Sequence, residues 1–384
     1  MTGQIKTPYY IIHEDKLRRN LELISHVSEQ SGAKIIMAFK ANALWKTFGI
    51  IRDYCQASTA SSLNEMRLSL EFLGNDVHAY CPVYTDTTIG EFVEGCNHIV
   101  FNSVAQYEKY RGFVDGYNSS NAAEKRVSCG LRVNPECSVI ETDIYNPCKP
   151  GSRFGVTRDV LGDVLPEGLD GLHFHCLCES TSYDLEKVLA AFEERFGEFL
   201  PRLKWVNMGG GHLMTREGYD TDHLIDMLRR FRAKYPNLEV ILEPGSAFTW
   251  RTGELIATVL DVVENQGVKT AIIDASFACH MPDCLEMPYK PAITEALAKP
   301  VHGKPTYRIG GNSCLSGDFI GDWSFDKPLA PGDVLTFEDM NHYTTVKTNM
   351  FNGIDHPSMV LLRSDGTVET LREFGYEDYR NRMD

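Results

Sequence analysis

No stretch of the sequence approaches the roughly 18 consecutive apolar residues that a membrane-spanning helix requires. The first residues, running into TPYYIIHEDK, lack the basic region, apolar stretch and small-residue cleavage site of a secretory leader, so none is expected. Basic charge is also in deficit: 38 Lys and Arg stand against 53 Asp and Glu, a formal charge of −15. Nucleic acid and membrane are therefore not expected partners, and an acidic field favours cationic ligands. No G-x-G-x-x-G precedes a helix. The triglycine Gly209-Gly210-Gly211 is not followed by the Gly-Lys-Ser/Thr of a phosphate loop, which argues against nucleotide chemistry. The 11 cysteines are odd in number and lack framework spacing, so they read as reduced thiols in a cytoplasm. No motif repeats at the period of a solenoid.

What is present is ordinary globular composition, 43% hydrophobic and 24% charged, which excludes a disordered chain. At 384 residues the chain is too long for one small module. Short apolar runs bounded by turns recur along its first two thirds: Lys34–Lys40, Thr59–Ser62, Asp76–Cys81, His98–Phe101, Val127–Asn134, Gly171–Leu177, Trp205–Gly210 and Glu239–Gly245. Such runs fit strands buried on both faces. Helical periodicity lies between most of them, at Leu17–Val27, Leu63–Leu73, Asp184–Phe199 and Thr221–Lys234. The last two begin with capping-type residues, Asp184 and Thr221. Alternating strands and helices over about 250 residues predict a (β/α)₈ TIM-like barrel. The remainder carries β-type runs at Glu254–Glu264, Val268–Phe277, Pro305–Ile309, Val334–Glu338 and Met359–Leu362, separated by turns such as Pro331-Gly332-Asp333. The expected division is an N-terminal strand in 1–12 joining the β-domain, a barrel over 13–250, and an antiparallel β-domain over 251–384.

Barrel enzymes place functional groups at the C-terminal ends of their strands. Here those ends bring Lys40, His173 and His175, the Gly209–Gly211 triplet, and Glu243-Pro244-Gly245 to one rim. Singly, each has an ordinary reading as a solvated terminus, a core histidine or a turn. Together they suit one cofactor. A lysine amine condenses with an aldehyde. Glycine N–H groups cradle a phosphate. A carboxylate holds a pyridine nitrogen protonated, and an imidazole stacks on the ring. That cofactor is pyridoxal 5'-phosphate (PLP). A zinc reading of His173, His175, Cys176 and Cys178 fails if all four alternate along one strand, because the pairs then face opposite ways; no metal is expected.

Ala38-Phe39-Lys40-Ala41-Asn42, His173-Phe174-His175, the triglycine and Glu243-Pro244-Gly245 together resemble the barrel-type PLP-dependent amino-acid decarboxylases, in the same order. Gly311-Asn312-Ser313-Cys314-Leu315-Ser316-Gly317-Asp318, His342-Tyr343-Thr344 and Phe351-Asn352-Gly353 extend the resemblance. Within that superfamily, Pro147-Cys148, Ser152-Arg153-Phe154-Gly155 and His280–Tyr289 resemble the carboxynorspermidine/carboxyspermidine decarboxylases. The resemblance implies a polyamine-pathway lyase working as a homodimer with shared active sites. It implies Lys40 as the PLP lysine, His175 against the ring, and Glu243 at the pyridine nitrogen. Gly209, Gly210, Gly211, Gly245, Ser246 and Tyr343 fall around the phosphate. Cys314, supplied by the partner subunit, returns a proton to the α-carbon. Ser246 stands where many members carry an arginine, which counts against a diaminopimelate or ornithine decarboxylase.

The expected substrate is a cationic amino acid with a polyamine tail. Asp274, Asp283, Glu286 and Asp318, with Glu243 at the rim, are the acidic candidates to receive it. Carboxynorspermidine and carboxyspermidine differ by one methylene, worth about 1–3 kcal/mol in a pocket, so the sequence does not separate them. The alternatives are a diaminopimelate- or ornithine-type decarboxylase, a racemase on the same barrel, and a non-catalytic decarboxylase-like binding protein. No segment resembles the racemase tyrosine motif, and the presence of both Lys40 and Cys314 argues against the last.

Overall fold

The computed structural model describes residues 5–384; residues 1–4, which begin the expected N-terminal segment, lie outside it. The chain divides into two compact units, one formed by residues 19–248 and the other by the N-terminal stretch through Arg18 together with Thr249–Asp384.

In chain order the strands are β1 (Tyr9–His13), β2 (Lys34–Ile35), β3 (Met37–Ala38), β4 (Ala57–Ala60), β5 (Asp76–Tyr80), β6 (His98–Phe101), β7 (Ser128–Arg132), β8 (Gly171–His173), β9 (Trp205–Asn207) and β10 (Glu239–Leu242). After these come β11 (Gly253–Asn265), β12 (Val268–Ile273), β13 (Thr306–Gly310), β14 (Phe319–Ser324), β15 (Val334–Phe337), β16 (Ser358–Leu362) and β17 (Val368–Arg372).

In the first unit, β2 through β10 form a parallel sheet of nine strands among the described residues, ordered β2-β10-β9-β8-β7-β6-β5-β4-β3. The two ends of that order are neighbours in sequence. β2 pairs with β10 and β3 with β4, while Ile36 between them bonds the carbonyl of Leu242 at 2.9 Å. The stretch 34–38 is one stave broken at Ile36, and the sheet closes as the expected TIM-like barrel. Its interior is packed rather than open. Trp205 enters beside Ile36, Val100 and Ile241, and its indole N–H donates to Ser128 Oγ at 2.8 Å. The ring fills space that only glycine leaves free: a Cβ on Gly130 would lie 2.1 Å from it and one on Gly171 2.0 Å. At the opposite end from the rim residues, Lys34 Nζ contacts Asp76 at 2.6 Å and His78 Nε2 at 3.4 Å. The rings of His78 and His98 stack there at 4.0 Å. Asp76, His78 and His98 form a metal-ligating group by residue type that the sequence reading did not foresee, and an ammonium already serves it as cation.

Several boundaries differ from expectation. Lys40 stands in the turn after β3, not on a strand. The run expected at Thr59–Ser62 starts earlier, at Ala57, because Ala57 and Ser58 pair with Asp76 and Val77. β8 ends at His173, so His175, Cys176 and Cys178 lie beyond it and the alternation argument does not reach them. The helices expected from Asp184 and Thr221 are capped one to three residues earlier. Thr181 accepts from Asp184 N–H in a capping box, and Asp220 caps the helix Thr221–Lys234.

In the second unit the sheet order is β14-β13-β12-β11-β1-β16-β17, with β15 also on β11. It is mostly antiparallel. The exceptions are β1 with β16 and β12 with β13, which run parallel. β12 stops at Ile273, and Ser276 then caps a short helix Phe277–His280 inside the run expected as strand. β14 and β17 were not expected. No described helix is long and apolar enough to cross a membrane.

Candidate active site

Strand ends assemble the barrel's group. Lys40 Nζ lies 3.4 Å from His175 Nε2. The N–H of Gly210 donates to His175 Nδ1 at 2.8 Å, so in the neutral ring the proton sits on Nε2, facing the lysine. Burial drives the His175 imidazole well below its usual pKa, with Lys40 and Arg132 adding like-charge repulsion. Lys40 is reached by solvent yet ringed by protein. Burial lowers its pKa, Glu243 opposes that, and Arg132 reinforces it. Both effects favour the uncharged pair.

Glu243 ends the last stave, only 9% exposed. Its Oε1 accepts from Asn207 Nδ2 at 2.7 Å, and its Oε2 lies 3.7 Å from His173 Nε2, beyond hydrogen-bond reach. Asn207 also accepts the N–H of Gly209 through its Oδ1, at 2.8 Å. One amide side chain thus ties the carboxylate to the start of the triglycine.

The triglycine is shaped by contact. Gly209 and Gly211 have φ of +68° and +89°, and a Cβ on Gly210 would meet the Glu243 carbonyl at 2.3 Å. The N–H groups of Gly209 and Gly210 are directed to Asn207 and His175, leaving that of Gly211 without a partner among the described residues. His212 braces the turn, its Nε2 lying 3.0 Å from the Gly209 carbonyl. Gly245 and Ser246 follow, with Ser246 opening the four-residue helix Ser246–Thr249.

The other sequence candidates belong to the second unit. Cys314 is exposed on a loop whose centre is Asp318, 4% exposed. Asp318 Oδ1 accepts from Ala278 N–H and Oδ2 from both the N–H and hydroxyl of Ser313. Asn352 Oδ1 accepts the Cys314 N–H at 2.8 Å. Asp274 accepts from Thr258 N–H and the Thr7 hydroxyl. Asp318 and Asp274 therefore organise their own backbone. Asp283 and Glu286 lie together on Lys347, whose Nζ is 2.6 Å from Asp283. Tyr343 has φ of +54° and precedes the short helix Thr344–Lys347.

The profile of the pyridoxal-dependent decarboxylases, C-terminal sheet domain, matches residues 66–341. The chain belongs to the pyridoxal-dependent decarboxylases. It is 45% identical to a carboxyaminopropylagmatine decarboxylase of Synechocystis sp., over 99% of this chain and 96% of that one. It is 40% identical to a carboxynorspermidine/carboxyspermidine decarboxylase of Campylobacter jejuni, over 99% of each. The crystal structure of carboxynorspermidine decarboxylase complexed with norspermidine, from Campylobacter jejuni, superposes with a TM-score of 0.88. That match is at 39% identity, covering 98% of this chain and 100% of that one.

The cofactor of this decarboxylase is PLP. The barrel site fits it. Both ring nitrogens of buried His173 lack a partner, Glu243 Oε2 accepts no hydrogen bond among the described residues, and the Gly211 N–H is left without a partner among them. Two site residues went unread in the sequence. Asn207, which orients Glu243, lies 36 residues from it and carries no local signal. Arg132 ends β7, and the strand-end rule that found Lys40 and Glu243 also points to it.

Proposed function

We propose that this decarboxylase removes the α-carboxylate of carboxynorspermidine and carboxyspermidine in polyamine biosynthesis, as a cytoplasmic homodimer with active sites shared between subunits. The observation that carries this reading is whole-chain similarity, at 39% identity, to an enzyme whose structure holds norspermidine. The 45% identity to a carboxyaminopropylagmatine decarboxylase favours a second reading, in which the tail ends in a guanidinium. These substrates share an amino-acid head and a cationic tail. They differ at the far end, where a planar guanidinium suits a bidentate carboxylate and an ammonium does not require one.

When bound, PLP supplies an electron sink for the pair left behind as CO₂ departs. Lys40 is the amine that would hold its aldehyde carbon. Burial and the neighbouring Arg132 favour the neutral, nucleophilic form of that amine. Glu243, steadied by Asn207, would hold a proton at the pyridine nitrogen. His175, pinned by Gly210, would pack on the ring. Gly209, Gly210, Gly211, Gly245 and Ser246 would hold the phosphate. The C–C bond breaks, CO₂ leaves, and the Cys314 thiol of the second subunit donates the proton that replaces it, recovering its own from solvent. For the tail, Asp283 and Glu286 are the favoured group, since two carboxylates sharing Lys347 keep a net formal charge of −1. Asp274 and Asp318 enter as the frame of the Cys314 loop.

The test is a CO₂-release panel of carboxynorspermidine, carboxyspermidine, carboxyaminopropylagmatine, diaminopimelate and ornithine. The first two should give the highest kcat/KM. A tenfold preference for the guanidino substrate would replace the first reading with the second, and preference for diaminopimelate or ornithine would overturn both.

A further inference from the structure

Arg132 closes β7 and is 4% exposed. A buried guanidinium persists only where its charge and donors are answered. Among the described residues no carboxylate pairs with it. Its Nη2 donates to the carbonyl of His175 at 3.1 Å. The rings of Tyr80 and Phe154 lie against it, their centroids 4.7 and 4.6 Å from its central carbon. A guanidinium carries five N–H donors in one plane. The His175 carbonyl takes one of them. None of its nitrogens is sealed away without a partner, so the remaining donors face space that solvent reaches. Lys40 meets the same residue, His175, through its Nζ at 3.4 Å, and the guanidinium disfavours its charge.

The surroundings hold this arrangement firmly. Asn102 Oδ1 accepts from both the Tyr80 hydroxyl and the Gly155 N–H, each at 2.9 Å, while Asn102 Nδ2 donates to the Arg153 carbonyl at 2.8 Å. The Arg153 guanidinium lies over the ring of Phe154 at 4.1 Å. Gly155 takes φ of +79°, and a Cβ there would lie 2.9 Å from the Val133 backbone. The sequence Ser152-Arg153-Phe154-Gly155 thus folds so that Phe154 presses on Arg132. A buried cation set against two aromatic rings, with no carboxylate partner and with donors that solvent reaches, is built to receive an anion.

We propose that Arg132 is the oxyanion-binding residue of the barrel site, its guanidinium edge receiving a carboxylate oxygen of the substrate or the phenolate oxygen of the cofactor held at Lys40. The inference rests on the decarboxylase reading above. The test compares Arg132→Gln and Arg132→Lys with the wild type. PLP affinity and the visible absorbance band are measured on the reconstituted chain, KM on carboxynorspermidine, and equilibrium affinity on norspermidine, which has no carboxylate. A charge-assisted hydrogen bond is worth about 10- to 150-fold in affinity. If the partner is the substrate carboxylate, Arg132→Gln raises KM by that factor and leaves norspermidine and PLP binding unchanged. If it is the cofactor phenolate, PLP affinity falls by that factor and the absorbance band shifts. In either case Arg132→Lys recovers part of the loss. Arg132→Met, which keeps an unbranched side chain against the rings, replaces the glutamine variant should that fail to fold. A folded Gln or Met variant that shifts neither PLP affinity nor KM by threefold overturns the proposal. Failure of the wild type to release CO₂ from any panel substrate overturns the functional reading instead, and the PLP measurement still decides the cofactor arm.

Discussion

The backbone N–H of Gly210 donates to Nδ1 of His175 at 2.8 Å, which fixes both the tilt of the imidazole and the ring nitrogen that carries its proton. The triglycine therefore acts on the histidine as well as packing closely on neighbouring backbone. Replacing Gly210 by alanine places a Cβ 2.3 Å from the Glu243 carbonyl, a backbone contact that cannot yield by a side-chain rotation. The turn must shift, and the bonds to His175 and Glu243 shift with it. Gly210→Ala should weaken PLP binding at least tenfold, read from absorbance titration of the cofactor-free chain. Wild-type affinity would show that the turn accommodates the methyl and that His175 is aligned by something else.

Lys40 stands alone in its role. Lys40→Ala should reduce turnover to background. Borohydride reduction of the wild type, followed by peptide mapping, should find the pyridoxyl group on Lys40 alone. A pyridoxyl group on Lys34 or Lys46 would shift the reactive end of the barrel to another register.

Glu243 and Asn207 should separate by degree. Glu243→Gln keeps the shape and removes the charge that holds the pyridine proton, so kcat should fall by roughly 10²–10³ with PLP still bound. Asn207→Ala leaves the charge and frees its orientation, so its loss should be smaller, about tenfold. Equal losses would mean that orientation matters as much as charge, and an unchanged kcat in Glu243→Gln would remove that residue from the chemistry.

The barrel was legible because parallel strands buried on both faces leave continuous apolar runs, and because strand ends are where barrel chemistry sits. That rule brought Lys40, His175 and Glu243 together as candidates, and their joint fit to one cofactor gave them roles. What escaped was set by partners distant in sequence. Nothing local marks Asn207 as the holder of Glu243, or Lys347 as the cation between Asp283 and Glu286, 64 and 61 residues away. β14 reads FIGDWS, with its first four residues half-buried, so it shows no alternation to detect. The parallel pairings of β1 with β16 and β12 with β13 follow from chain path, which pattern does not encode.

The Cys314 loop is tied down by hydrogen bonds, to Asp318 within it and to Asn352 outside it. An exposed thiol on so fixed a loop suits work on a neighbouring subunit. Mixing inactive Lys40→Ala with inactive Cys314→Ala should then restore activity, because a mixed dimer holds one intact site. No recovery, with subunit exchange confirmed by mass, would place Cys314 in its own subunit's site or outside the chemistry.

His212 ties the triglycine to acid stability. Burial lowers its pKa to about 4, against a smaller opposing pull from the backbone carbonyls of Gly209 and Met208. In the unfolded chain a histidine titrates near about 6.5. Above that value both states are neutral and His212 adds no pH dependence. As pH falls from about 6.5 to about 4, the unfolded chain takes up the proton and the folded chain refuses it. Stability falls through that window by up to about 1.4 kcal/mol per pH unit for this one group, then levels once both states are protonated. Buried His280, lowered to about 3, adds a second contribution of the same sign. His212→Gln can keep a donor toward the Gly209 carbonyl and cannot titrate. Urea unfolding at pH 7 and pH 5 should therefore show a smaller acid loss in the variant, by as much as one proton's worth of slope. An identical loss in variant and wild type would mean that His212 is already charged in the folded chain at pH 5, and that the triglycine is braced by an imidazolium.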